Sequence, residues 1–216
     1  MRDKGKKKFL NDMSDFAREM RSRPIIWNFP TIPPFKNYGF ERLTRENSER
    51  CWEMFRDDEN PFLDEYFTDR DEFLSYISSL CDYMPRSVKR GGADWLVTQS
   101  GSNVGASFSK NNDIAILHCY DLSLEPFEYN DISCTIGFAT AAPFRRQGVM
   151  RDIVPHFVQY LARELGRTRI LAYTKQANIP SQNLLKSLDF MTVNEEFVGS
   201  ERNVYFRFYA QPVAMK

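Results

Sequence analysis

The chain has 216 residues, 29 basic and 29 acidic side chains, and is 42% apolar and 14% aromatic. That length accommodates one domain with an extension, and the apolar share supports a packed core, which excludes disorder as the default state. The charge balance excludes a dedicated nucleic-acid binder, whose phosphate contacts need a basic surplus. The four cysteines, Cys51, Cys81, Cys119 and Cys134, are far apart and form no CxxC or His-rich cluster. Reduced, buried thiols and no metal site are the expectation. No stretch approaches the roughly 18 apolar residues of a membrane span. No apolar run of signal-peptide length follows the basic Lys4, Lys6, Lys7 and Lys8. The expected location is the cytoplasm, without a membrane partner.

Residues 1–35 form a basic and aromatic N-terminal extension. Phe9, Leu10, Met13, Phe16 and Met20 recur at helical spacing over residues 8–23, and a proline-broken, extended connector follows over 25–35. Its aromatic content predicts an arm that packs onto the domain or a partner. From there the pattern predicts a strand at 39–44, a helix at 45–56 and a second helix at 69–83. Strands follow at 95–98 and 104–108 around the turn Ser100-Gly101-Ser102-Asn103, then at 114–120 and 132–140. Helical character returns at 148–165, closed by Gly166. A strand at 169–174, a short helix at 181–188 and strands at 190–197 and 204–209 complete the order. The fold class is α/β (α+β), a mixed sheet with helices on both faces. The domain spans 36–210, and 211–216 is a tail.

The chemistry is concentrated between Ile136 and Phe190. A strand runs through Phe138, Ala139 and Thr140 into Ala141-Ala142-Pro143-Phe144, and Arg145-Arg146-Gln147-Gly148 then opens a helix. Glycine lets the backbone approach a ligand, and first-turn amides beside the positive end of a helix dipole make an anion cradle. The two arginines add charge-assisted contacts for phosphate. The loop lacks both the Gly-Lys-Ser/Thr ending of a nucleotide P-loop and the three glycines of a dinucleotide fingerprint. Read alone, it is more readily a turn carrying two solvated arginines. About thirty residues on comes Asn178-Ile179-Pro180-Ser181-Gln182-Asn183-Leu184-Leu185-Lys186-Ser187-Leu188-Asp189-Phe190.

Together these segments resemble the GNAT acetyltransferases, whose loop reads Arg/Gln-x-x-Gly-x-Gly/Ala and is followed by Asn-x-x-Ser/Ala, a short helix and Leu-Gly-Phe. Arg145, Gly148, Asn178, Ser181, Leu184, Leu188 and Phe190 match. The strand and two helices over 39–80 are similar to the opening of the RimJ/RimL-like branch. The resemblance covers about residues 36–210 and implies a mostly antiparallel sheet that uses acetyl-CoA as cosubstrate. It implies that the backbone of Phe138, Ala139 and Thr140 pairs with the pantetheine arm. The amides of Gln147, Gly148, Val149, Met150 and Arg151, with Arg145 and Arg146, would hold the pyrophosphate. Asn178 and Ser181 would contact the pantetheine or the departing sulfur, although helix capping accounts equally well for both. Leu184 and Leu185 would line an apolar wall.

The sequence departs from that pattern at several points. Met150 stands where relatives carry a small residue, Asp189 replaces the glycine before Phe190, and Pro155 falls inside the predicted helix. Leu185 occupies the position of a general-acid tyrosine, and Cys134 or Thr135 that of a glutamate base. The implied reaction is attack of an amine on the acyl thioester in a ternary complex. Asp131, Ser181 and Tyr173 are the catalytic candidates, with Glu128 and Tyr120 behind them, and His118 and His156 read as structural. The acceptor is a small-molecule or peptide amine, and a homodimer is a possible assembly. Acidic residues around 57–65 and 125–128 favour a cationic acceptor. A non-catalytic acyl-CoA-binding or regulatory protein is the alternative.

Overall fold

A computed structural model of the chain describes residues 30–60, 69–75, 91–100, 112–122 and 133–210. The strands are β1 (Tyr38–Arg42), β2 (Gly91–Gln99), β3 (Asp113–Leu122), β4 (Ser133–Thr140), β5 (Arg169–Lys175), β6 (Met191–Val198) and β7 (Glu201–Tyr209). The helices are α1 (Ser48–Phe55), α2 (Val149–Glu164) and α3 (Ile179–Ser187), with helical residues also at 70–75. The strands make one seven-stranded sheet in the order β1-β2-β3-β4-β5-β7-β6. Every pair is antiparallel except β4 with β5. A parallel pair needs a crossover, and α2 supplies it. The expected strand at 104–108, most of the turn at 100–103, the helix beyond 75, and Asp131 and Glu128 lie outside the described residues.

Both faces of the central strands are covered, which is why β3 reads as the near-continuous apolar run Ile114, Ala115, Ile116, Leu117 rather than as a clean alternation. On one face Trp95, Leu117, Ile136, Ile170 and Phe206 pack against Ile153, Val154, Phe157 and Leu161 of α2. On the other, Leu96 and Ile116 pack against Leu43, Cys51 and Phe55, with Phe73 beside them. Trp95 meets Phe157 edge to face at 5.3 Å between centroids. Cys51, Cys119 and Cys134 are buried free thiols.

The described end of the N-terminal arm is strapped across α2. Ile32 is buried, the Tyr160 hydroxyl donates to the Pro30 carbonyl at 2.6 Å, and His156 Nε2 donates to the Pro33 carbonyl at 2.9 Å. Phe35 stacks on the His156 ring at 4.7 Å. His156 is therefore a clamp for the arm, as its apolar neighbours predict. Ile32→Ala is expected to cost about 2–4 kcal/mol, the usual range for emptying a buried aliphatic site. Urea unfolding checks it: the midpoint falls while the slope stays constant. An unchanged midpoint would show that the strap contributes nothing to the folded unit.

Candidate functional site

The sheet opens at one place. β4 and β5 pair only from Ser133 with Arg169 to Thr135 with Leu171. Beyond that, Ile136–Thr140 stay with β3 while Ala172–Lys175 stay with β7. The two strands thus part into a wedge whose facing edges carry main-chain donors and acceptors. Such groups demand partners, and an extended, amide-bearing ligand can supply them as an added strand does. The wedge widens toward the carboxyl ends of a parallel pair, the crevice where α/β sheets receive ligands.

Two helices begin at that end. β4 leads through Ala141, whose amide donates to the Ile114 carbonyl at 2.9 Å, into a 3-10 turn at Ala142–Phe144. Arg146 (φ 61°) and Gly148 (φ 81°) then reverse the chain with left-handed backbone. A Cβ at Gly148 would meet nothing within 4 Å, so glycine serves conformation there and the space before it is open. The first α2 bond inside the turn runs from the Asp152 amide to the Gly148 carbonyl at 3.1 Å. The amides just before Asp152 have no intrahelical acceptor. Asp152, the one acidic side chain in this first turn, is paired with Lys36 at 2.7 Å, which offsets its repulsion of an anion.

The departures from the family pattern have physical accounts. Met150 and Val149 are buried toward the core, so the bulky side chain turns away from the cradle. Asp189 adopts φ 63°, a conformation aspartate tolerates better than most residues, and Phe190 still packs on Phe208 at 5.1 Å. The helix runs through Pro155. The carbonyl that loses its amide donor there belongs to Arg151, an exposed residue within reach of water. Arg145 is engaged within the protein: its Nε donates to the Thr140 carbonyl at 3.1 Å and its Nη2 to the buried Asp58 carboxylate. Gln147 Nε2 donates to the Pro143 carbonyl at 2.7 Å. Arg146, Gln147 and Arg151 are exposed.

Asn178 caps α3, its side-chain oxygen accepting the Ser181 amide at 3.3 Å. Ser181 and Leu184 are half-buried, and Leu185 is fully inside the core. Tyr173 is half-exposed and lies against Tyr205 at 5.7 Å. Cys134 and Thr135 are both buried. The acidity expected around 57–65 is partly neutralised, since Asp58 pairs with Arg145 and Asp57 with Arg56.

Sequence reasoning missed one pair. His118 Nδ1 lies 2.9 Å from Asp94 Oδ1, between neighbouring strands, and the side chains are 14% and 7% exposed. The available signal was a polar residue at an inward position of two otherwise apolar strands, Asp94 before Trp95 and His118 after Leu117. Among the described residues no cluster of three or more His, Cys, Asp or Glu could hold a metal. No described helix is long and apolar enough to cross a membrane.

A seven-stranded sheet split between a parallel pair, with a glycine-led helix at the split, defines an acyltransferase of the GNAT type. Residues 34–191 match the family described as acetyltransferase (GNAT) domain, and the chain belongs to that family. Its structure is similar to a ribosomal-protein-S5-alanine acetyltransferase from Vibrio fischeri, with a TM-score of 0.63, 13% identity, and coverage of 82% of this chain and 95% of that one. It is similar to RimL, a ribosomal L7/L12 alpha-N-protein acetyltransferase solved with coenzyme A, with a TM-score of 0.64, 14% identity, and coverage of 84% and 98%. The dodecameric spermidine N-acetyltransferase from Vibrio cholerae gives a TM-score of 0.59 at 11% identity, over 80% and 94% of the two chains. No curated protein matches the sequence significantly.

Proposed function

We propose that this GNAT acetyltransferase transfers an acetyl group from acetyl-CoA to a primary amine by direct attack within a ternary complex. The observation that carries the reading is the wedge between β4 and β5 with the α2 N-terminus at its mouth. The backbone of Phe138, Ala139 and Thr140 would pair with the pantetheine amides. The first-turn amides from Gln147 to Arg151, with exposed Arg146, would hold the pyrophosphate, while Arg145 braces the loop through Asp58. Ser181 and Leu184 would border the pantetheine, with Leu185 packed behind them and Asn178 capping the helix that carries them.

The cosubstrate supplies an activated acyl carbon. The protein contributes proximity, since both reactants are held together, and a backbone donor along β4 for the charge that develops on the carbonyl oxygen. Tyr173 borders the wedge on β5, and Ser181 would lie near the site of thiol departure. The amine is the open variable: the similar structures include enzymes for protein N-termini and for spermidine.

The test is an assay of free thiol with acetyl-CoA and a panel of acceptors: spermidine, lysine-containing peptides and peptides with a free α-amine. Thiol release that depends on the amine, with an N-acetylated product by mass spectrometry, is the expected result. Acetyl-CoA binding with no amine-dependent release would identify a non-catalytic acyl-CoA binder instead.

A further inference from the structure

We propose that His118 is the general base of the transfer reaction and that Asp94 is its positioning residue. The inference rests on the acyl-transfer reading above. Three cross-strand registers place the pair. Asp94 on β2 is opposite His118 on β3, and His118 is opposite Gly137 on β4. Thr135 is opposite Leu171, so two residues further on Gly137 is level with Tyr173 across the wedge. The row Asp94, His118, Gly137 therefore leads from the interior to the edge of the opening, and His118 stands one strand spacing, about 4.8 Å, behind that edge.

The ring is oriented along this row. Its Nδ1 side meets the Asp94 carboxylate at 2.9 Å. Its other side faces Gly137: a Cβ built on that glycine would lie 3.5 Å from His118 Cδ2, the carbon bonded to Nε2, and 3.5 Å from the Tyr120 hydroxyl. A larger side chain at 137 would crowd both the imidazole and the Tyr120 hydroxyl, which already lie in contact range of that position. With Nδ1–H donating to Asp94, the basic nitrogen of the neutral ring is Nε2, and the carboxylate then stabilises the imidazolium once formed. This is a base held by a third group, the arrangement expected where a proton must be taken at a fixed point. A buried carboxylate in a strand is costly unless it is partnered, and His118 is the partner it has been given.

The step balances. His118 Nε2 takes one proton from the acceptor ammonium, directly or through one water, and the freed nitrogen forms the C–N bond while the C–S bond breaks. The second proton lost from nitrogen ends on the departing thiolate. The products are the amide, the free thiol and one proton passed from His118 to solvent. Titratable groups near the ring include Asp94, Tyr120 and, beside Asp94, Cys51 of α1, while Tyr173 is level with Gly137 across the opening. Cys51 lies close enough to Asp94 to feel its charge, and burial pushes its thiol well up, so it stays neutral.

The experiment is a pH profile of kcat/KM for the native protein with two acceptors, one bearing an α-amine and one a lysine-type amine, beside His118→Gln and Asp94→Asn. The native profile is expected to rise with pH and to level off at the same pH for both amines. In His118→Gln the rate is expected to fall roughly 100- to 10,000-fold and that rise to vanish, while the thermal shift caused by acetyl-CoA is retained. Asp94→Asn is expected to move the rise. A native profile whose midpoint follows the acceptor's own pKa overturns the assignment without any variant. A His118→Gln enzyme that keeps its rate and its profile overturns it as well, and a pair that only packs would change stability alone. Absence of amine-dependent turnover in the native protein overturns the acyl-transfer reading itself, and the dyad with it.

Discussion

Acetyl-CoA at about a hundred times its Kd is expected to stabilise the native protein by about 2.7 kcal/mol, and to leave Gly148→Glu unmoved. For a chain of this size the native shift corresponds to roughly 5–11 °C in Tm. Gly148 sits at φ 81°, where an L side chain costs about 1–2 kcal/mol, so any substitution lowers the unliganded Tm. Glutamate adds a carboxylate and its bulk in the open space before the α2 amides, against a site whose field favours an anion. Gly148→Ala separates the two effects. It carries the strain without the charge, so its Tm falls while a ligand-induced shift survives. Differential scanning fluorimetry with and without acetyl-CoA reads all three proteins. Equal shifts for the native protein and Gly148→Glu would place the phosphate site elsewhere.

How much of this was legible in the sequence depends on the range of the forces involved. Elements whose signal is local were readable: α2 announced itself by an apolar stripe from Val149 to Leu161, and the turn before it by Gly148. The cap at Asn178 was readable for the same reason, since its partner is the Ser181 amide three residues on. Met150 and Asp189 looked like flaws because a motif compares side chains. What decides them is conformation: Met150 turns into the core, and Asp189 adopts a positive φ of the kind glycine takes readily. Arg145 was readable as a motif residue, but its engagement with Asp58, 87 positions away in the chain, was not. The same holds for His118 and Asp94. They meet only because β2 and β3 pair in one register, and a slip of one residue would send them to opposite faces. A strand-to-strand dyad leaves no spacing for a motif to capture.

The two loop arginines are expected to fail in opposite ways. Arg145 ties the end of β4 to the segment after α1, through the Thr140 carbonyl and the Asp58 carboxylate, and Asp58 is only 4% exposed. Removing the guanidinium strands that carboxylate where water barely reaches it. Breaking a pair whose carboxylate is buried is destabilising even where its arginine is a third exposed, and Arg145→Ala should cost about 3 kcal/mol, or roughly 6–12 °C in Tm. Arg146 is exposed, and alanine in its place keeps the same left-handed backbone without adding a new constraint. Arg146→Ala should therefore leave Tm nearly unchanged. If its guanidinium contacts a phosphate of the cosubstrate, the lost charge-assisted bond is worth about 1.5–3 kcal/mol, and acetyl-CoA binding should weaken by roughly 10- to 100-fold. Calorimetric titration beside thermal melts distinguishes the two roles. Asp58→Ala completes the set: it should melt nearly as low as Arg145→Ala, and the double variant little lower than either, because both remove one tie. The reverse pattern, a stable Arg145→Ala with poor binding and an Arg146→Ala that binds normally, would make Arg145 the phosphate ligand and the Asp58 contact a dispensable one.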